Sequence, residues 1–227
     1  MAIAPLPSSQ HREEVTTRYA LAVDLGQSND PTAVAVLEHR KHQHVHIKGR
    51  ITQAGETFDV RYLRRLPLGL SYVEQVGEVS RLVGRPPLND QCLFAIDETG
   101  VGRAVGDFFD QVGVSPTRIT ITGGTAVTNV GPRRFHVPKG ILVSLLDARL
   151  HTGELRFAAN LTEASAMANE LRDFRRHVSA AGRFSFEARA GQHDDLVLSV
   201  AIGIWVLTQP KAPRAAVGVY ASTPAPP

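Results

Sequence analysis

The stretch "GQHDDLVLSVAIGIWVL" (191–207) constrains the chain more than any other. From Leu196 onward it is apolar on every side, and Ser199 is its one clearly polar residue. A helix that is apolar all round belongs in a core, not on a surface. The apolar run of 196–208 is too short to span a bilayer, which takes about 20 residues. The fold must therefore wrap around this segment. Its entrance carries two adjacent carboxylates, Asp194 and Asp195. Carboxylates at the mouth of a buried helix are costly unless something pairs with them, so they demand a partner.

The elements that precede it read as an alternation of strands and helices. "YALAVDLG" (19–26) is an apolar strand that ends in Asp-Leu-Gly. Residues 32–40 and 44–53 read as a second and a third strand, and the short gaps suggest an antiparallel meander. Helical spacing runs over 71–84, through Val73, Val76, Val79, Leu82 and Val83. "CLFAID" (92–97) is a fourth strand, again closed by an aspartate. Residues 102–113 read as a helix closed by Gly113, and 118–122 as a fifth strand. Pro138 is suited to open a helix over 139–152. Thr162 is suited to cap one over 162–178. Residues 183–189 read as a hairpin or edge strand, and the last helix runs from about 193 to 208. The expected fold class is α/β, a mixed sheet of five or more strands with helices on both faces. Residues 1–17 and 209–227 lack apolar periodicity and are expected to be a flexible arm and a Pro/Ala-rich disordered tail around a domain of 18–208. No signal-peptide core is present, so a cytoplasmic, membrane-free protein is expected, with a monomer as the default. The lone cysteine, Cys92, excludes an internal disulfide and a cysteine zinc site, and it reads as a buried thiol. The net charge of +3 permits a nucleic-acid partner without requiring one.

This order brings the aspartates together. If the first and fourth strands are parallel neighbours, Asp24 and Asp97 end side by side at one sheet edge. A helix that starts at the same edge adds Asp194 or Asp195. Three converging carboxylates raise one another's pKa. Divalent cations with a taste for hard oxygen, Mg²⁺ or Mn²⁺, remove the conflict. Two such ions are the clamp used for in-line displacement at a phosphodiester.

"AVDLGQSNDPTAVAVL", "AIDETGVGRAVGDFF", "VPKGILVSLLDARLHTGELRF" and "GQHDDLVLSVAIGIW" together resemble the C-terminal nuclease domain of phage terminase large subunits, an RNase H-like (RuvC-like) fold. The resemblance covers about 19–207. It implies metal-dependent endonucleolytic cutting of double-stranded DNA during genome packaging, leaving 3′-OH and 5′-phosphate ends. Asp24 and Asp97 match the first two metal-binding carboxylates. The third falls on Asp194 or Asp195, with a slight preference for Asp195. A family lysine falls on Lys139, a cation at a helix start where it opposes the dipole, which suggests contact with substrate phosphate. The chain has no Gly-Lys dipeptide, hence no G-x-x-x-x-G-K-[ST] phosphate loop. It is therefore expected to be an excised nuclease domain or a free-standing relative. A separate ATPase motor, small terminase subunit or portal are the implied partners. Glu98 departs from the small residue expected after Asp97. It is either an extra metal ligand or a solvent-facing group.

Further candidates have plain alternatives. His193 can orient water near the metals or sit on the surface. Asp30 reads as a turn residue. Arg103 in "GVGR", together with Arg133, Arg134, Arg172, Arg175 and Arg176, are candidate DNA contacts that are equally suited to a solvated surface. "EHRKHQHVHIK" (38–48) is histidine-rich and reads first as a solvated turn, then as a phosphate contact, then as a histidine metal site. Two other functions compete with the nuclease. "VDLG" after a strand also resembles the first phosphate loop of actin-like-fold phosphotransferases, for which ATP hydrolysis is the discriminator. A non-catalytic DNA-binding prophage relic would bind without cutting.

Overall fold

The structure, a computed structural model, describes residues 11–26, 30–46, 51–100, 103–173, 175–178, 184–187 and 193–210. Three long strands open it: β1 (His11–Asp24), β2 (Ala33–His46) and β3 (Ile51–Arg65). They are followed by α1 (Tyr72–Val83), a single turn α2 (Leu88–Gln91), β4 (Cys92–Asp97), α3 (Arg103–Gln111), β5 (Thr117–Thr122), β6 (Thr128–Gly131) and β7 (Arg134–Pro138). The chain ends with α4 (Lys139–His151), β8 (Leu155–Phe157), α5 (Ala164–Asp173), β9 (Arg175–Val178), β10 (Phe184–Glu187) and α6 (Asp195–Thr208).

Among the described residues, eight strands form one sheet in the order β6-β7-β5-β4-β1-β2-β3-β8, and β9 pairs with β10 apart from it. β1, β2 and β3 are antiparallel neighbours, as expected, while β4 lies parallel to β1 and β5 parallel to β4. Side-chain alternation splits the core in two. Ala20 and Ala22 of β1 face α4, α5 and α6, whereas Leu21 and Val23 face α1, α2 and α3. The sheet is thus covered by helices on both faces, as α/β architecture requires of a sheet with apolar residues on both sides.

α6 lies deepest: every residue from Asp195 to Leu207 is buried. Its Ser199 hydroxyl donates to the Leu196 carbonyl at 2.9 Å, so the one polar side chain within the run is satisfied locally. Gly203 lets α6 sit close against Leu37 of β2. A Cβ there would stand 2.5 Å from Leu37 Cδ1. Trp205 meets the Phe135 ring edge-on, with centroids 5.3 Å apart. Cys92 is buried, and burial pushes its thiol up to about 12.

Several boundaries differ from the sequence expectations. β1 begins at His11, so residues 11–17, read as part of a flexible arm, are strand. They pair with Arg40–His46, and Thr57–Ile51 continue the ribbon on the other side. Backbone pairing rather than apolar burial holds this ribbon, which is why hydropathy did not reveal it. Residues 1–10 and 211–227 lie outside the described ones. The helix expected over 162–178 stops at Asp173, and Arg175–Val178 form a hairpin strand instead. The third strand expected over 44–53 falls across two elements: His44–His46 end β2, which thus runs past residue 40, while β3 starts at Ile51 and runs to Arg65. A bulge opposite Val36 and Leu37 leaves Arg61 without a register partner. Phe58 and Val60 before the bulge and Leu63 after it therefore share one face. No helix among the described residues is long and apolar enough to cross a membrane.

Candidate functional site

Register builds the site. Asp24 of β1 lies directly opposite Asp97 of β4, and on its other side opposite Ala33 of β2, which in turn faces Arg65 of β3. Arg65, Ala33, Asp24 and Asp97 thus form one row across four strands at a single sheet edge. Neighbours in such a row stand about 4.8 Å apart. By alternation the row faces the α6 side, and α6 begins above it with Asp194 as N-cap and Asp195 as first helical residue.

The adjacent aspartates point to different cations. Lys139, the first residue of α4, donates from Nζ to Oδ2 of Asp194 at 2.6 Å. Arg65 grips Asp195 with two bonds, Nε to Oδ2 at 2.8 Å and Nη2 to Oδ1 at 3.1 Å. Arg65 Nη2 also donates to Glu170 Oε1, and its backbone N–H reaches Glu163 Oε1 at 3.5 Å. Glu170 Oε2 accepts from the Val197 N–H at 3.0 Å. Burial pushes Glu170 up to about 7, and the Val197 N–H acts against that shift.

Burial pushes Asp24 well above the usual carboxylate range, and Asp97, Asp194 and Asp195 add to the shift, while Lys139 opposes it. Burial likewise pushes Asp97 up to about 6. The Thr99 N–H, which donates to Asp97 Oδ1 at 2.8 Å, acts against it. Thr99 is itself tied to β5, because its Oγ1 accepts from the Ile121 N–H at 2.7 Å. Among the described residues no three His, Cys, Asp or Glu side chains are drawn tightly enough together to hold an ion between them. The donor set nonetheless suits a hard divalent cation: oxygen ligands only, gathered at one edge, with more negative charge than Lys139 neutralises.

Other candidates are placed elsewhere. Glu98 alternates to the opposite face, where its side chain is buried between Arg134 at 3.5 Å and Arg118 at 3.8 Å. It neither faces solvent nor joins the aspartates. Arg118 is buried and tied to Asp107 and Asp110 of α3. Arg134 is thus engaged with Glu98, and Arg133 donates to the Ser115 carbonyl at 2.6 Å. Both guanidiniums, expected on DNA, make these contacts within the fold. His193 is exposed and stands 3.8 Å from Asp30, not against the carboxylate row. Of the ribbon histidines, His39 is buried on Phe58 with its Nε2 2.9 Å from Glu56, and His42 lies 3.1 Å from Glu13. Arg172 bonds Asn169. The side chains of Arg103, Arg175 and Arg176 lie outside the described ones.

Sequence reasoning missed Arg65, Glu163, Glu170 and Thr99. The only signal for Arg65 was its place at the end of "TFDVRYLRR", and the bulge hides the face to which it belongs.

This is an RNase H-like α/β fold with its carboxylates gathered where parallel strands end beneath a buried helix, the fold of phage large-terminase nuclease domains. The large terminase nuclease from thermophilic phage G20c, in a structure with bound magnesium, superposes with a TM-score of 0.56 at 22% identity, covering 83% of this chain and 81% of that one. A structure of the same nuclease with bound cobalt gives the same values. The large terminase nuclease domain of Thermus phage P74-26 superposes with a TM-score of 0.51 at 18% identity, covering 82% of this chain and 78% of that one. No protein-family profile and no curated protein matches the sequence.

Proposed function

We propose that the chain is a divalent-metal-dependent endonuclease that hydrolyses phosphodiester bonds in double-stranded DNA, in phage or prophage DNA packaging or processing. The observation that carries this reading is the register that sets Asp24 beside Asp97 under the start of α6. The magnesium and cobalt in the G20c nuclease structures support a divalent ion. Asp24, Asp97 and Asp194 are the carboxylates that would hold Mg²⁺ or Mn²⁺, with two ions the number suited to in-line displacement. Asp194 takes precedence over Asp195, because both Asp195 oxygens are committed to Arg65. Bound there, the ions supply positive charge to the reacting phosphate and acidify the attacking water.

The chain's own residues prepare the site. Lys139 favours the ionised forms of both Asp24 and Asp97, and its ammonium at the α4 start suits a DNA phosphate. Thr99 fixes one Asp97 oxygen. Arg65 neutralises the carboxylates beneath, so that α6 can begin at the row.

The test is incubation of the purified chain with supercoiled plasmid in Mn²⁺, Mg²⁺ or EDTA, beside Asp97→Ala. Nicking or linearisation that requires metal and Asp97 is expected. A folded wild type that cuts in no metal would refute the reading, and ATP hydrolysis by that protein would favour a phosphotransferase.

A further inference from the structure

We propose that Glu170, held by Arg65, caps α6 in place of the helix's own N-cap residue, and so leaves the Asp194 carboxylate to the metal site; this rests on the metal-dependent reading above. An N-cap aspartate ordinarily accepts from the N–H two or three residues into its helix. Asp194 occupies that position, since its carbonyl accepts from the Leu198 N–H at 2.9 Å. Its side chain makes no capping bond and reaches Lys139 instead. The third helical residue, Val197, is fully buried, so no water can take its N–H. Glu170, from α5, accepts that N–H at 3.0 Å. The cap comes from a residue 27 positions from Val197 in sequence, so this N–H is satisfied while Asp194 turns to Lys139.

Arg65 makes the substitution specific. One guanidinium holds Glu170 Oε1 and both oxygens of Asp195, so a single fork positions the capping carboxylate and the first helical residue together. Its planar donors fit this double task, which a lysine ammonium would not. Arg65 sits in the same strand row as Asp24 and Asp97, with only the small side chain of Ala33 between it and Asp24. The clamp therefore sets the start of α6 against the carboxylate row. Without Glu170, the Val197 N–H needs another acceptor, and the N-cap carboxylate of Asp194 is the group that ordinarily supplies it, which would turn Asp194 back onto its own helix. Glu170 and Arg65 are positioning residues: neither contacts the reacting phosphate.

The test measures Mn²⁺ binding by electron paramagnetic resonance in the full chain without DNA, for wild type, E170A, D194A and the double variant. E170A is expected to weaken Mn²⁺ binding roughly tenfold, the cost of losing a group that orients a metal ligand. In the D194A background the same change is expected to cost nothing further. E170A that binds as tightly as the wild type, or that loses as much with Asp194 absent, would overturn the proposal. Should E170A fail to fold, E170Q goes through the same cycle, with a smaller loss expected because one acceptor oxygen remains. Hydrogen exchange at the Val197 amide in D194A gives a second readout. Wild-type protection is expected, and loss of it would show that Asp194 caps its own helix. A wild type that binds no Mn²⁺ would refute the metal reading itself, and the exchange measurement would still report which carboxylate is the cap.

Discussion

Replacing Asp97 with asparagine should make the metal-free protein more stable while removing its response to metal. The Asp97 carboxyl is buried and is pushed from an ordinary 3.8 up to about 6. Its folded-state pKa thus lies above its unfolded value, so the folded chain holds this proton the more tightly. The stability linked to it is complete below about 3.8 and is lost as the pH rises through about 6. That gap corresponds to about 3 kcal/mol carried as a penalty at pH 8. Asparagine is neutral and has the same shape, and its Oδ1 can still accept the Thr99 N–H. Removing the charge also relieves Asp24, whose pKa Asp97 raises. A domain of this size shifts its Tm by about 2–4 °C per kcal/mol. Asp97→Asn should therefore melt up to about 10 °C above wild type in EDTA at pH 8. The difference should shrink on acidification and vanish near pH 4. Thermal melts by circular dichroism across that range, with and without Mg²⁺, read all of this, and Mg²⁺ should raise the wild-type Tm alone. An Asp97→Asn protein that melts below wild type at pH 8 in EDTA, or a difference independent of pH, would refute the reasoning.

Three further perturbations probe the site's supports. Gly26 follows Asp24 by two residues, and a Cβ there would stand 2.0 Å from the Asp30 carbonyl oxygen. Gly26→Ala should cost about 1–3 kcal/mol in urea unfolding as the turn opens, and an unchanged midpoint would contradict it. Arg65→Met leaves Asp195 and Glu170 buried without their shared cation. It should cost about 2–3 kcal/mol, reduced from the fully buried case because Arg65 is partly exposed. Adding Asp195→Asn should restore part of that loss, and a double-mutant cycle with no coupling would sink the idea. Lys139 lowers the pKa of both Asp24 and Asp97. Lys139→Met should therefore move the acid limb of the Mn²⁺-binding pH profile to higher pH, and an unmoved limb would show that the ammonium does not act on them.

The part of this architecture visible in the sequence is the part governed by hydropathy. Apolar runs that end in Asp24 and Asp97 put both carboxylates at one sheet edge if the two strands are parallel neighbours, and the register shows that they are. What hydropathy does not encode is which cation meets which carboxylate. Asp194 and Asp195 are adjacent, yet their partners lie 55 and 130 residues away. Arg65 reaches the site face only because of the bulge at Arg61, which no alternation pattern announces. Under the proposed metal-dependent function, the difference between the two ion pairs favours Asp194 as the ligand. The Arg65–Asp195 pair is a planar, two-bond fork whose carboxylate side chain is 10% exposed, and it is braced from behind by Glu170. The Lys139–Asp194 pair is a single ammonium contact whose carboxylate side chain is 23% exposed. An ammonium is a mobile point charge that a divalent ion can replace at one oxygen. Displacing the guanidinium would strand two buried carboxylates. On the proposed metal-dependent reading, the start of α6 would therefore offer one exchangeable carboxylate to the row and keep the other as its anchor.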